Sequence, residues 1–589
     1  MEISLRGIGV SPGVAIGPVV TFHVQAIEPP RYGITDPVAE LSRYDAAVEK
    51  VRFYLLRTKD RMADEVDEQH ASIFLAHLVI LDDVALRPEI ERRLNAEKIN
   101  VDFLVQDLIG EYSKLLANIE DPMVREKIAD FSDVGRRILH ALLDREVDSL
   151  EHLEHPCVIV AGELSPSETA NMDMANTMGL ATDEGGRTSH MAILARAFEL
   201  PAVVGLRYIS KQVMPGDTII VDGTNGVVVI RPERATITEY LAEKRRQEDE
   251  RRALIRAGGD GPCLTQDGVQ IETFANIDLP IEASESLKTK CMGVGLYRTE
   301  YLFMNRDSLP SEDTQYRAYK LVLKTMAPLP VTLRTLDIGG DKMVSYLSER
   351  KESNPQLGWR SIRFCLDRPD IFKAQLRAMY RASVHGNMRI KFPMISGLDE
   401  LREAMASARQ VREDLTARGV AFDPKVKIGC MIEIAAAVVL ADKLAEECDF
   451  FSIGTNDLIQ YALAVDRTNE RTAHLYDPSH PGVLRLLKQT IDTARAAGIP
   501  CAICGEMAGD PLFTELLVGM GFDSLSMSAV SLPQVRAEIA NTRGVAAKRL
   551  AKTVLSLGSA QEIRELLVQR SQARATLQLY RTDPAAGGE

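Results

Sequence analysis

The hydrophobic pattern changes character several times along the chain, and each change marks a different kind of element. Residues 1–22 alternate Ile, Leu, Val and Gly about a turn at Ser11-Pro12-Gly13, a period of two that predicts short strands. From about residue 36 to 147 the apolar positions recur every three or four residues; Ile73, Phe74, His77, Leu78 and Leu81 share one such face. This stretch predicts a helical bundle. Strand-like runs return in CVIVAGEL, GLATDEG, PAVVGL and DTIIVDGTNGVVVI between 155 and 230, with one helix predicted over 190–199. The N-terminal strands lack a sheet of their own, so this zone is their expected partner, with the helical bundle inserted between the two halves of one β/α domain. Residues 233–256 carry six acids and seven bases and no Gly or Pro, which predicts a solvated helix held by i,i+4 pairs and linking two halves of the protein.

The last zone is the most regular. Strand-like runs begin near Val269, Met292, Val331, Met388, Lys427, Phe450, Cys501 and Ser524, each separated from the next by enough chain for a helix. Eight β–α units in about 270 residues predict a (β/α)₈ barrel, whose chemistry belongs at the C-terminal ends of the strands. The final residues, TDPAAGGE, read as a disordered tail.

Composition narrows the class without naming a function. The 589 residues are 45% hydrophobic and 26% charged, ample for several cores. No apolar run approaches the roughly 20 residues that span a bilayer, and the start shows no basic then apolar signal pattern. The net charge of −14 disfavours nucleic acid and favours either neutral small substrates or a basic protein partner. Eight scattered cysteines fit reduced thiols in a cytoplasm.

The charged residues among the barrel strands are the first chemical signal. Arg298 is expected to close strand two, Arg334 to sit inside strand three and Glu433 inside strand five. Asn456 and Asp457 are expected to close strand six, with Arg467 soon after, and Cys504 to close strand seven. Buried charge is costly unless paired or bound to metal. Any one Arg–Glu pair could be an internal salt bridge, but three arginines and two carboxylates converge on one face. Arginine binds phosphate and carboxylate bidentately, and two rim carboxylates suit Mg²⁺. The set predicts a small, phosphorylated, doubly anionic substrate held with Mg²⁺. Cys501 and Cys504 form a C-x-x-C without further zinc ligands nearby. Strand alternation puts the two on opposite sides, and Cys504, nearer the rim, could donate a proton.

The second signal is Glu184-Gly185-Gly186-Arg187-Thr188-Ser189-His190, running from a strand into a helix. Paired glycines and a helix N-terminus suit an anion, so His190 is a candidate phosphoryl-carrying nucleophile. The other nine histidines have no such neighbourhood.

GGRTSHMAILARAFELPAVVG (185–205) resembles the phosphohistidine signature of phosphoenolpyruvate-utilising enzymes. GLYRTEYLFMNRDSLPSEDTQYRAY, TLDIGGDK, NPQLGWRSIR, GCMIEI, FFSIGTNDLIQYALAVDR and CGEMAGD resemble their barrel. GIGVSPGVAIG and the helical insertion narrow the resemblance to the phosphoenolpyruvate–protein phosphotransferases that open the sugar phosphotransferase system, over roughly residues 3–575.

The resemblance implies that His190 takes the phosphoryl group on Nε2 and that Cys504 protonates the enolate to pyruvate. It implies that Arg298, Arg334, Asn456, Asp457 and Arg467 hold phosphoenolpyruvate, that Glu433 and Asp457 bind Mg²⁺, and that Gly185, Gly186, Arg187, Thr188 and Arg360 support them. A histidine of the carrier protein HPr would be the acceptor, docking on the helical insertion where Asp64, Glu65, Asp67, Glu68, Asp82 and Asp83 form an acidic surface. The implied organisation is a swivelling phosphohistidine domain (1–22 and 148–232), an inserted HPr-binding bundle (23–147), a linker (233–260), a substrate barrel that also dimerises (261–575) and a tail (576–589). A homodimer in the cytoplasm is expected, without nucleic acid or membrane insertion. An ATP-using synthase or dikinase would need a larger nucleotide domain and a Gly-rich loop, which residues 36–147 do not offer. A nitrogen-signalling phosphorelay would share the chemistry; such members commonly carry an extra N-terminal sensor, whereas this sequence opens on the swivelling domain. A silent scaffold is disfavoured by the intact set of site residues.

Overall fold

The computed structural model describes residues 2–22, 29–65, 77–78, 80–81, 86–117, 122–143, 150, 153, 155–157, 158–164, 168, 172–186, 190–257, 259, 261–304, 309–339, 352–467, 469 and 471–582. It divides into two units, 1–247 and 248–589.

The first unit is built on an eight-stranded sheet of order β1-β8-β7-β3-β4-β5-β6-β2. In chain order these are β1 (Ile3–Arg6), β2 (Ile8–Ser11), β3 (Val14–Phe22), β4 (Cys157–Ala161), β5 (Thr177–Thr182), β6 (Ala202–Val204), β7 (Thr218–Asp222) and β8 (Val227–Ile230). The N-terminal strands do join the later ones. The long β3 runs antiparallel to β7 through Val14–Pro18, then parallel to β4 through Val19–Phe22. All five residues of β4 are buried because both its faces are covered: Cys157, Ile159 and Ala161 enter one cluster, Val158 and Val160 another. That is why its sequence reads as an unbroken apolar run.

Between β3 and β4 lie the helices Pro37–Glu65, Leu86–Glu97, Val101–Ala117 and Pro122–Leu142. Their apolar stripes pack Val51, Leu55, Leu94, Leu104 and Ile138 into a core of their own. His77, Leu78 and Leu81 are buried on the expected face, while Ile73 and Phe74 lie outside the described residues. Of the acidic surface, Asp64 and Glu65 end the first helix; Asp67, Glu68, Asp82 and Asp83 lie outside the described residues. The charged linker is the helix Arg234–Ala257, with exposed pairs such as Arg246–Glu243 at 2.7 Å and Arg252–Glu248 at 3.7 Å.

In the second unit, eight parallel strands close into a barrel: β10 (Gln270–Ile277), β11 (Val294–Arg298), β12 (Pro330–Arg334), β13 (Asn387–Phe392), β14 (Lys427–Ile432), β15 (Phe450–Ile453), β16 (Cys501–Ile503) and β17 (Ser524–Ser528). Closure is made by β10, which pairs with both β11 and β17; the short β9 (Cys263–Leu264) adds antiparallel to its start. Alternation sorts each strand. Met388, Ile390 and Phe392 of β13 join the large core beneath the helices, and Lys391 takes the opposite, inward face. The last helix runs from Ala560 to Thr582, so residues 576–582 of the expected tail are helical and 583–589 lie outside the described residues. Among the described residues no helix is long and apolar enough to cross a membrane.

Candidate active site

The predicted barrel residues gather at the C-terminal rim, on shorter strands than expected. Arg298 and Arg334 are the last residues of β11 and β12. Glu433 lies one residue beyond β14 and not inside it. Asn456 and Asp457 do not close β15, because the chain turns at Gly454 directly into the helix Thr455–Leu463 and places both in its first turn. Gly454 is required there: a Cβ would stand 2.3 Å from Glu433 Oε2. Cys504 is one residue past β16, although its N–H still pairs with the Ile453 carbonyl of β15 at 3.0 Å.

Each rim arginine is held by a carboxylate from elsewhere on the barrel. Arg298 Nη1 donates to both oxygens of Asp278, at 2.9 and 3.2 Å. Arg334 is paired with buried Glu300 and, at 3.0 Å, with Asp337. Arg360 bridges Asp337 at 3.4 Å and Asp457 at 3.3 Å, and donates to the Tyr461 hydroxyl at 2.9 Å. The guanidiniums are therefore fixed before any substrate arrives.

Glu433 sits differently. It is 0% exposed, its Oε1 accepts from Met394 N–H at 2.6 Å, and its Oε2 has no partner among the described residues. Burial, with Asp457 and Asp337 nearby, pushes its carboxyl up to about 8. An orphaned carboxylate oxygen among further carboxylates is the environment that a divalent cation relieves. Among the described residues no three His, Cys, Asp or Glu side chains converge as a metal site, so substrate oxygens and water would complete the shell.

Asn456 and Arg467 approach the rim from the other side. Asn456 is bonded to Glu506, and Arg467 lies 3.8 Å from the same carboxylate. The C-x-x-C is not a redox pair in this fold. Cys501 belongs to the core beneath the helices, where burial pushes its thiol up, while Cys504 packs with Leu296 and Met431 in a separate cluster on the inward face.

In the first unit, the loop after β5 keeps pairing with the chain after β4: Asp183 N–H donates to Ala161 O at 3.1 Å and Glu184 N–H to Gly162 O at 3.0 Å. Gly185 then turns with φ of 115°, which a residue with a Cβ rarely adopts, and nothing lies within 4 Å of a Cβ placed on Gly186. His190 opens the helix His190–Ala197. Arg187 and Thr188 lie outside the described residues.

Sequence reasoning missed Asp278, Glu300, Asp337, Tyr461 and Lys391. Lys391 carried the same signal as Glu433, one charge between Ile390 and Phe392 in an apolar strand. Most of the arginine partners had no local signal, since Arg360 and Asp457 are 97 residues apart and meet only on the closed barrel; Asp337, three residues after Arg334, is the exception.

Comparison with known proteins places the chain in a family. Residues 252–543 match the phosphoenolpyruvate-binding domain of phosphoenolpyruvate-utilising enzymes, 6–127 their N-terminal domain and 153–226 their mobile domain. The chain is 42% identical over 562 residues to a phosphoenolpyruvate-protein phosphotransferase of Bacillus sp. (strain S), covering 95% of this chain and 97% of that one. It is 41% identical over 569 residues to the protein of that name from Haemophilus influenzae, covering 96% and 98%. The chain belongs to the phosphoenolpyruvate-protein phosphotransferase family of phosphoenolpyruvate-utilising enzymes.

Proposed function

We propose that the chain moves the phosphoryl group of phosphoenolpyruvate onto its own His190 and then to a histidine of an HPr-type carrier, releasing pyruvate as the first step of the sugar phosphotransferase system. The observation that carries this reading is the rim itself. The fixed guanidiniums of Arg298 and Arg334 suit the substrate's phosphate and carboxylate, and Glu433, whose Oε2 has no partner among the described residues, lies near Arg334. Asn456, Asp457 and Arg467 complete the substrate's contacts, and Arg360 orients Asp457. Glu433 and Asp457 would hold Mg²⁺, which when bound offsets negative charge on the substrate oxygens.

A neutral imidazole nitrogen of His190 attacks phosphorus, and the bond from phosphorus to the enol oxygen breaks. The electron pair stays on the enolate. Cys504 gives its proton to the methylene carbon, and pyruvate leaves. The Gly185-Gly186 turn and helix N-terminus, with Arg187 and Thr188, receive the phosphorylated imidazole. The inserted bundle is the surface for HPr, the phosphohistidine domain of residues 1–22 and 148–232 swivels between the barrel and the carrier, and the barrel pairs two copies of the chain.

The test is labelling with phosphoenolpyruvate carrying radioactive phosphate, in the presence of Mg²⁺. Acid-labile, base-stable label that disappears in His190→Ala and is discharged by HPr supports the reading. Labelling from ATP but not from phosphoenolpyruvate overturns it.

A further inference from the structure

One buried cation of the barrel has no part in that scheme. Lys391 lies on β13 as the register partner of Arg334 on β12, with its side chain 0% exposed. Its Nζ donates to the Gly295 carbonyl of β11 at 2.9 Å, to Ser452 Oγ of β15 at 3.0 Å and to Cys504 Sγ at 3.6 Å. None of these three partners is a carboxylate, an unusual setting for a fully buried lysine. An ammonium has no lone pair, so the direction of the remaining bonds is fixed. Ser452 must send its hydroxyl proton to Cys504 Sγ, at 3.2 Å, and Cys504 must send its own to the Ile453 carbonyl, at 3.4 Å.

We propose that Lys391, acting with Ser452, is the positioning residue for Cys504: it holds the sulfur in place beside Leu296 and Met431 and stabilises the thiolate left when Cys504 has protonated the enolate. This rests on the reading of Cys504 as proton donor. In that step the S–H bond breaks, a C–H bond forms at the methylene carbon, and the electron pair stays on sulfur. The sulfur already accepts from two donors, one of them charged, so no reorganisation is needed to meet the new charge. After pyruvate leaves, the thiolate regains a proton from water. Burial pulls the Lys391 ammonium below its ordinary range and the neighbouring Cys504 opposes that pull.

Among the described residues the other groups around the thiol are few. Arg334 on β12 opposes the Lys391 charge and Glu433 after β14 favours it. Asn276 of β10 donates to the Cys504 carbonyl at 3.0 Å and to Ser526 of β17 at 3.4 Å, and Leu296 and Met431 are apolar. Cys501 is on the opposite face of its strand.

The experiment is the pH profile of pyruvate formation from phosphoenolpyruvate, with Mg²⁺ and HPr, in Lys391→Met, Ser452→Ala and Cys504→Ala. In Lys391→Met the expected kcat falls about a hundredfold with KM nearly unchanged, and the alkaline limb of kcat moves up by about one pH unit, because a thiol without its cation holds its proton more tightly. Ser452→Ala removes a single hydroxyl and is expected to move the limb the same way by less, which covers the case in which Lys391→Met does not fold. A lysine that only ties strands together would lower the active fraction at every pH and leave the limb in place. A limb at the wild-type position in Ser452→Ala, or in folded Lys391→Met, overturns the assignment. Wild-type pyruvate formation in Cys504→Ala overturns the underlying reading instead, so the two failures are separable.

Discussion

Asn456 and Glu506 are joined by two hydrogen bonds, from Asn456 Nδ2 to Glu506 Oε1 at 3.0 Å and from Glu506 N–H to Asn456 Oδ1 at 2.9 Å. They clamp the first turn of the helix after β15 to the loop after β16. Gly505 makes the approach possible, since a Cβ there would stand 1.8 Å from Thr455 Oγ1. The clamp fixes the carboxamide that the proposed function aims at phosphoenolpyruvate. Glu506→Ala would remove one charge-assisted bond, a loss of about 1.5–3 kcal/mol in positioning. The expected outcome is a kcat/KM for phosphoenolpyruvate lower by about ten- to a hundredfold, carried mainly by KM. Steady-state kinetics on an otherwise intact protein check it, and a KM at the wild-type value would remove the clamp from substrate binding.

Glu433 predicts a conflict between stability and activity. Its buried carboxyl is pushed up to about 8 by burial and by Asp457 and Asp337, and one of its oxygens is unpartnered among the described residues. Above about pH 8, where the carboxyl is charged, Glu433→Gln removes that charge while keeping an acceptor for the Met394 N–H, and the melting comparison is made there. The expected result is a higher melting temperature without Mg²⁺ but labelling by phosphoenolpyruvate reduced at least about a hundredfold. Removing Mg²⁺ from the wild type with EDTA should reproduce the loss of labelling. A Gln variant that melts lower and labels normally contradicts both halves.

How far the sequence carried these residues depends on what each needs to be seen. The eight barrel strands were legible because buried parallel strands are continuous apolar runs bounded by polar breaks. A charge inside such a run is equally visible, which is how Glu433 stood out and how Lys391 should have. The ends were not legible. Glu433, Asp457 and Cys504 were expected on strands, but β14, β15 and β16 stop short of them, and Gly454 sends the chain straight into a helix. Asp278 for Arg298, Glu300 for Arg334 and Asp457 for Arg360 come from segments that only barrel closure brings alongside, whereas Asp337, three residues after Arg334, was within reach of a local reading.

In the inserted bundle, Asp133 is the centre of a buried charge cluster. Burial alone would raise its carboxyl, but Arg137, His77 and Arg136 hold it down to about 2. Arg137 Nε donates to Asp133 Oδ2 at 3.0 Å with the guanidinium side chain only 8% exposed. Asp133→Asn would leave that cation without its anion, at a cost of about 3–5 kcal/mol. The expected observation is early melting of the bundle by calorimetry while phosphoenolpyruvate binding by the barrel unit persists. A bundle transition within a degree of the wild type would show that the cluster contributes little.

Glu282 offers a pH test of the substrate rim. Its Oε2 accepts from the N–H groups of Asp278 and Leu279 at 2.6 and 3.0 Å, just beside the carboxylate that holds Arg298. Burial, and then Asp278, push its carboxyl from 4.5 up to about 7, against those bonds and Arg298. A carboxyl raised in the folded state favours folding when protonated. Its stabilising contribution is therefore complete below about pH 4.5 and is lost as pH rises through about 7. Glu282→Gln keeps an acceptor for both N–H groups and fixes the neutral state. The variant should melt at nearly the wild-type temperature at pH 5 and above it at pH 8, in thermal scans of both proteins across that range. A difference that stays constant with pH would mean that Glu282 does not titrate in this window.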